Sequence, residues 1–310
     1  MSILISKDTK VIVQGITGKE GLKATEAMMS YGTNVVAGVR PGKGGEVVNG
    51  VPVFNNIQEY IKTQLKSVET RLIASLPIIS TIYVPPFAAK DAIMEAIDAD
   101  IPLINTIVER IPIKDTAYCL AAAKEKNIKI IGPSSLGFIS PGVGRIGVVG
   151  GPLVQANEIF TPGPVGIISR SGGMTNEVSW QIRQVGLGQS SVVHVGGDLL
   201  MGTTYADLLR EFEKDDQTKV VVIFGEHGGS YEFAIVDLIK NKEFTKPLAI
   251  YIGGKFASLL PIGMNIGHAG AIVGRGQSAV EKEVALKNVG VMIANTPEDL
   301  AVLAKVQLSS

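Results

Sequence analysis

Short apolar bursts, each closed by glycine, proline or a polar cluster, alternate along the chain with stretches of helical periodicity. Val11-Ile12-Val13 and Val220-Val221-Val222-Ile223-Phe224 are the clearest bursts. Runs that are apolar at consecutive rather than alternate positions fit strands buried on both faces of a parallel sheet. The pattern predicts strands over 10–14, 34–39, 81–84, 102–108 and 129–131, separated by helices over 21–31, 57–75, 88–99 and 116–127. Glycine and proline then crowd 132–164 and interrupt the rhythm, which marks a domain boundary. A second alternating run opens at 165–168 and continues with strands over 190–195, 220–224, 248–252, 269–273 and 290–293. Strands spaced by helices indicate doubly wound sheets. The expected fold is therefore α/β, with two tandem open parallel-sheet domains: a Rossmann-like one over 1–133 and a flavodoxin-like one over 134–310.

Composition narrows the partners. Hydrophobic residues make up 45% of the 310 and charged residues 19%, yet no apolar run reaches the roughly 18 residues that span a bilayer. Lys plus Arg and Asp plus Glu balance at 29 each, so no global field draws the chain to nucleic acid or anionic lipid. Residues 1–8 lack the cationic stretch and apolar core of a secretory signal, and the lone Cys119 has no partner for an intrachain disulfide. A cytoplasmic protein without nucleic-acid or membrane partners is expected, and no metal-ligand set is assigned. Any phosphate it binds must be held locally, and the 36 glycines show where.

The strand at 10–14 runs directly into Gly15-Ile16-Thr17-Gly18-Lys19-Glu20-Gly21. Such glycines permit a tight turn and let a phosphate approach the amides of the next helix, although an ordinary strand-to-helix turn has the same look. The end of the second strand adds information. A domain that binds NAD would place Asp or Glu there for the ribose hydroxyls. This chain has Val39-Arg40-Pro41-Gly42-Lys43-Gly44-Gly45, two cations among glycines, which suits a phosphate on the adenosine ribose. NADP or CoA then fits better than NAD, with a solvated basic turn as the plain alternative.

In the second half, Ile168-Ser169-Arg170-Ser171-Gly172-Gly173-Met174-Thr175-Asn176-Glu177 takes a buried strand through small residues into a helix. Ser171, Gly172 and Gly173 can aim bare amides and a hydroxyl at an anion, with the helix dipole behind them. Glu177 offers the plainer reading of a capping box. No Gly-x-Ser-x-Gly elbow is present, so a serine hydrolase is not supported. Three histidines are available. His194 lies in an apolar strand and is expected to be structural, and His227 follows Gly225-Glu226 at a strand end. His268 is set in Gly267-His268-Ala269-Gly270-Ala271, without flanking bulk, as suits a nucleophile that must reach another molecule.

Taken together these motifs, with Gly132-Pro133, Gly196-Gly197-Asp198 and Gly225-Glu226-His227-Gly228-Gly229, resemble the α subunit of succinyl-CoA synthetase and the wider nucleoside-diphosphate-forming acyl-CoA synthetases. The resemblance covers almost the whole chain. It implies that His268 is phosphorylated, that Glu109 and Glu226 are carboxylates serving the imidazole, and that Gly15, Thr17, Gly18, Lys19, Glu20, Lys43 and Val108 bind coenzyme A. It also implies a partner subunit of the ATP-grasp β type that holds ATP or GTP with Mg. The phosphohistidine would turn a carboxylic acid into an acyl phosphate, from which the CoA thiol displaces phosphate.

Two loops depart from the succinate pattern. Succinyl-CoA synthetases usually read Ser-Gly-Thr-Leu-Thr-Tyr-Glu where this chain has Ser171-Gly172-Gly173-Met174-Thr175-Asn176-Glu177, a form similar to ATP-citrate lyase. Gly132-Pro133-Ser134-Ser135-Leu136-Gly137 lacks the usual Asn-Cys-Pro. The chain is too short for the further modules of ATP-citrate lyase, so the resemblance points to the small subunit of citryl-CoA synthetase. Citrate would then bind at Ser171, Gly172, Gly173 and Asn176, with succinate as the alternative acid. A CoA-sensing module without catalysis and an NADP dehydrogenase are the rivals. The sensor would lack the histidine, and the dehydrogenase needs a nicotinamide site that is not seen. The stretch 63–80 looks longer than usual, without a functional account.

Overall fold

A computed structural model describes residues 2–65, 77–256 and 277–309. Val11, Ile12 and Val13 are fully buried, and they fall into two apolar clusters: Ile12 on one face of the strand, Val11 and Val13 on the other. A strand with both faces covered belongs at the centre of a parallel sheet, and β1 (Lys10–Gln14) is flanked in parallel by β2 (Asn34–Val39) and β5 (Ile78–Ile82). Outward lie β4 (Val51–Phe54) on one side, with β6 (Leu103–Thr106) and β7 (Lys129–Ile131) on the other. The parallel order β4-β2-β1-β5-β6-β7 is that of the Rossmann fold, with a short antiparallel strand, β3 (Val47–Val48), at the edge. Helices α1 (Lys19–Ser30), α2 (Ile57–Leu65), α3 (Ala89–Asp98) and α4 (Ile113–Glu125) connect the strands.

The second sheet contains β10 (Pro162–Ser169), β11 (Gln189–His194), β12 (Val220–Glu226), β13 (Leu248–Gly253) and β14 (Met292–Ile293). Their parallel order, β11-β10-β12-β13-β14, is the flavodoxin order. Its helices include α6 (Gly172–Gln184), α7 (Tyr205–Lys214), α8 (Phe233–Lys240), α9 (Ala279–Lys287) and α10 (Asp299–Ser309). Of the helix expected over 57–75, the described part ends at Leu65. The strand expected over 269–273 and His268 itself lie outside the described residues.

The stretch 132–164, which reads in sequence as an interruption, is itself part of the second sheet. It holds an antiparallel hairpin, β8 (Gly137–Ser140) and β9 (Gly144–Gly147), added to the edge of β11, followed by the short helix α5 (Leu153–Ile159). Glycine is required where the two hairpin strands pass closest. A Cβ on Gly137 would strike the Ile146 carbonyl oxygen, and one on Gly147 that of Leu136, both at positive φ. Close backbone approach therefore produced the glycines that imitate a linker.

The hairpin also joins the two sheets. Thr33, just past α1, receives a hydrogen bond from the Arg145 amide at 3.0 Å and donates one to the Arg145 carbonyl at 2.7 Å. Ile146 packs in the cluster that holds Val11 and Val13 as well as Ile168, Val193 and Ile223, so one apolar interior serves both sheets.

Candidate functional site

The carboxyl end of β1, where strand order reverses, is the place such sheets bind ligands. Gly15 takes φ +82, and a Cβ there would meet the Tyr83 carbonyl, so only glycine lets the loop turn this tightly against β5. The Gly18 amide donates to the Gly15 carbonyl at 3.0 Å, and α1 then begins with Gly18 as an N-cap that has no side chain to occupy the first amides. Those amides and the helix dipole suit a phosphate. Thr17 and Gly18 are half-buried, while Lys19 and Glu20 are exposed at the rim.

The second loop is organised by a residue that the sequence reading did not single out. Asn55, just after β4, accepts from the amides of Gly42 at 3.0 Å and Gly44 at 3.1 Å, and so fixes the turn that carries Lys43. Two adjacent asparagines closing a strand were the available signal. Lys43 Nζ lies 2.7 Å from Glu46 Oε1, with both side chains about half exposed. Such a pair contributes about 0–1 kcal/mol, so the ammonium can be turned to a phosphate at little cost. Val108 is buried, and its carbonyl accepts from Ser134 at 3.0 Å. An uncapped helix start and a preformed turn with an exposed cation fit a polyanionic ligand such as CoA.

In the second sheet β10 leads into α6, where Ser171 is the N-cap and accepts from the Met174 amide at 3.4 Å. The cap is this serine rather than Glu177, which accepts instead from Gln181 at 2.8 Å. The two glycines differ. A Cβ on Gly172 would lie 2.6 Å from Leu136 Cδ1, whereas one on Gly173 would meet nothing within 4 Å. Gly173 thus borders open space, as a ligand cradle requires. Asn176 has its Oδ1 engaged by the Gly150 amide at 3.0 Å, so its acceptor serves the protein and not a ligand. His194 Nδ1 accepts from the Leu136 amide at 2.8 Å, which makes Nε2 the protonated nitrogen, donating to the Arg170 carbonyl at 3.1 Å. His194 is structural, and it fixes the loop against which Gly172 packs.

Glu226 ends β12 and is buried, with Oε1 2.8 Å from Arg170 Nε. The two atoms form an ion contact without hydrogen-bond alignment. Arg170 also donates to the Asp198 carbonyl at 2.7 Å and lies over the Tyr231 ring. Glu109 is exposed in the loop after β6, where it accepts from Ser134 Oγ at 3.3 Å. The sequence reading did not anticipate Lys282. Fully buried in α9, it directs Nζ to Glu232 Oε2 at 2.6 Å and to the carbonyls of Glu226 at 2.7 Å and Gly228 at 2.6 Å. That ammonium straddles His227, which is 4% exposed and whose ring nitrogens have no hydrogen-bond partner among the described residues. Cys119 is no nucleophile at neutral pH, because burial pushes its thiol up to about 11.

Family models match both halves: a CoA binding domain over residues 6–110 and a CoA-ligase over residues 168–306. The fold and the two loop systems thus define a CoA-binding subunit of an acid–thiol ligase. More narrowly, the chain belongs to the family of succinate–CoA ligase α subunits. It is 42% identical over 305 residues to the ADP-forming succinate–CoA ligase subunit alpha 2 of Archaeoglobus fulgidus, covering 98% of each chain. To the corresponding α subunit of Aquifex aeolicus it is 44% identical over 304 residues, covering 96% of this chain and 92% of that one. Among solved structures, ATP citrate lyase from Methanothrix soehngenii, in complex with citrate and coenzyme A, superposes with a TM-score of 0.88 at 24% identity. That match covers 99% of this chain but 50% of the longer enzyme, and it is a likeness of fold. Among the described residues no helix is long and apolar enough to cross a membrane.

Proposed function

We propose that this chain is the CoA-binding, phosphohistidine-bearing subunit of an ADP- or GDP-forming acid–CoA ligase, divided into a CoA domain over 1–133 and a ligase domain over 134–310. A β-type partner of the ATP-grasp class would hold ATP or GTP with Mg. A ring nitrogen of His268 takes the terminal phosphoryl group from the nucleotide, releasing the diphosphate. A substrate carboxylate oxygen then attacks that phosphorus and frees the imidazole. The CoA thiolate attacks the acyl carbon, expelling phosphate and leaving a thioester. The main support is the uncapped start of α1 beside the Lys43 turn in one sheet, together with the Ser171-Gly172-Gly173 start of α6 in the other. Glu226 and Glu109 are proposed to act on the imidazole, with Glu226 held beside Arg170 at the end of β12.

The names of the full-length relatives favour succinate as the acid over citrate, the acid that the cradle sequence suggests. One observation keeps citrate as a second reading: the open space at Gly173, where a bulkier acid has room. Steady-state assays of the complex with both acids decide between them. Gly173→Thr is expected to lower use of a bulky acid by about tenfold or more, the equivalent of one lost charged hydrogen bond. Its Cβ meets no protein atom, so the fold is spared, whereas Gly172→Thr would collide with Leu136. Succinyl-CoA as sole product, unaffected by Gly173→Thr, would remove citrate.

The CoA site has its own test. Lys43→Ala is expected to weaken CoA by about tenfold and dephospho-CoA much less, if the ammonium meets the phosphate on the ribose. Calorimetry with both ligands reads the difference, and equal losses would move the contact elsewhere on CoA.

A further inference from the structure

The turn between β9 and α5 runs alongside the first two turns of α6, and three contacts place it there. Val148 at its start donates to the Leu136 carbonyl at 2.9 Å, and Leu136 is the side chain packed on Gly172. Gly150 at its tip donates to Asn176 Oδ1 at 3.0 Å. From beneath, the Gly151 carbonyl accepts from Arg145 Nη2 at 2.8 Å. Arg145 is 0% exposed, and among the described residues its Nε and Nη1 have no hydrogen-bond partner, so this carbonyl is the acceptor that holds a buried cation in place. Gly150 and Gly151 take φ +87 and +68, and a Cβ on Gly150 would lie 2.6 Å from the Phe160 ring. A tight turn held from the side and from below has the character of a preformed wall, with little freedom to adapt.

We infer that the Val148–Gly151 turn is a wall of the acid site, and that Asn176 is a positioning residue that sets how far this wall stands from the start of α6. The inference rests on the acid-binding role proposed above for Ser171, Gly172 and Gly173. Asn176 acts through the Gly150 amide, so its effect falls on the size of acid admitted and leaves phosphoryl transfer alone. The wall discriminates by shape. Without the Asn176 acceptor the tip of the wall loses its tie to α6, the smaller acid is held less firmly, and selectivity between a dicarboxylate and a tricarboxylate falls.

The test uses the assembled enzyme with its partner subunit, assayed with succinate and with citrate. Asn176→Leu keeps the bulk of the side chain but removes the acceptor. It should raise the KM of the preferred acid about tenfold, the scale on which misfit of one small group registers. kcat and the KM for CoA should stay within about twofold. Gly150→Ala disturbs the same turn without touching α6 and should do the same. The double variant should be no worse than the poorer single one, because both changes act through one bond. Unchanged acid KM in Asn176→Leu overturns the inference. So do losses that multiply in the double variant, since they would make Asn176 a direct ligand of the acid. If Gly150→Ala does not fold, Asn176→Leu and Asn176→Ala carry the test, and unchanged KM in both overturns it. A wild-type complex that uses neither acid would instead sink the proposed function, a result visible before any variant is made.

Discussion

His268→Ala in the assembled enzyme is expected to cut thioester formation by more than about 10⁴-fold, the scale on which loss of a covalent nucleophile registers. Among the described residues, the other histidines and the cysteine differ in their fitness to take over. His194 has both ring nitrogens committed to Leu136 and Arg170, and Cys119 is buried with its thiol pushed up to about 11. His227 is the alternative to exclude, because its ring nitrogens have no hydrogen-bond partner among the described residues and it follows Glu226. Incubation with the partner subunit and labelled nucleotide, followed by alkaline mass spectrometry, locates the phosphoryl group. His268→Ala should carry none and His227→Ala should still be labelled. Phosphate on His227, or full activity of His268→Ala, would discard the mechanism.

Lys282→Met should be among the most destabilising single changes in the chain. It strands the buried Glu232 carboxylate and leaves the carbonyls of Glu226 and Gly228 without their donor. Removing one partner of a buried ion pair costs about 3–5 kcal/mol, against a total stability of about 5–15 kcal/mol. Thermal melting should fall by on the order of 10 °C. Adding Glu232→Gln should restore part of the loss, since the stranded charge disappears. A melting temperature unchanged in the single variant would mean that water reaches Glu232. Because Lys282 straddles residue 227, the single variant should also loosen the end of β12 that presents Glu226 to Arg170.

The order of strands and helices could be read from the sequence because consecutive apolar triplets such as Val11-Ile12-Val13 have few structural solutions. Strands over 10–14, 34–39 and 129–131 stand where the pattern put them. The β8–β9 hairpin was missed because glycines needed for close strand contact have the composition of a linker. At the candidate sites, the glycine loops were legible because backbone geometry restricts what can stand there. Side-chain pairings were not. Glu281-Lys282-Glu283 has the look of a solvated helix face, and only the tertiary fold brings its middle residue to Glu232. Arg170 and Glu226 each lay in a recognised motif, but their contact joins two strands whose pairing the local sequence does not encode. Asn176 was read as a ligand group because its chemistry permits that role. Its hydrogen bond to Gly150 depends on the same unforeseen hairpin.

The apolar cluster shared by the two sheets has a mechanical consequence. Val11 and Val13 of β1 and Ile168, Val193 and Ile223 of the second sheet belong to one packed interior, closed over by Ile146 and by the Thr33–Arg145 hydrogen bonds. Close-packed interiors shift as bodies and do not bend smoothly. The glycine loop at the end of β1 and the Ser171-Gly172-Gly173 start of α6 at the end of β10 are thus mounted on a single chassis. If the two loops hold CoA and the acid as proposed, bringing thiol and acyl group together falls to the reach of the CoA arm.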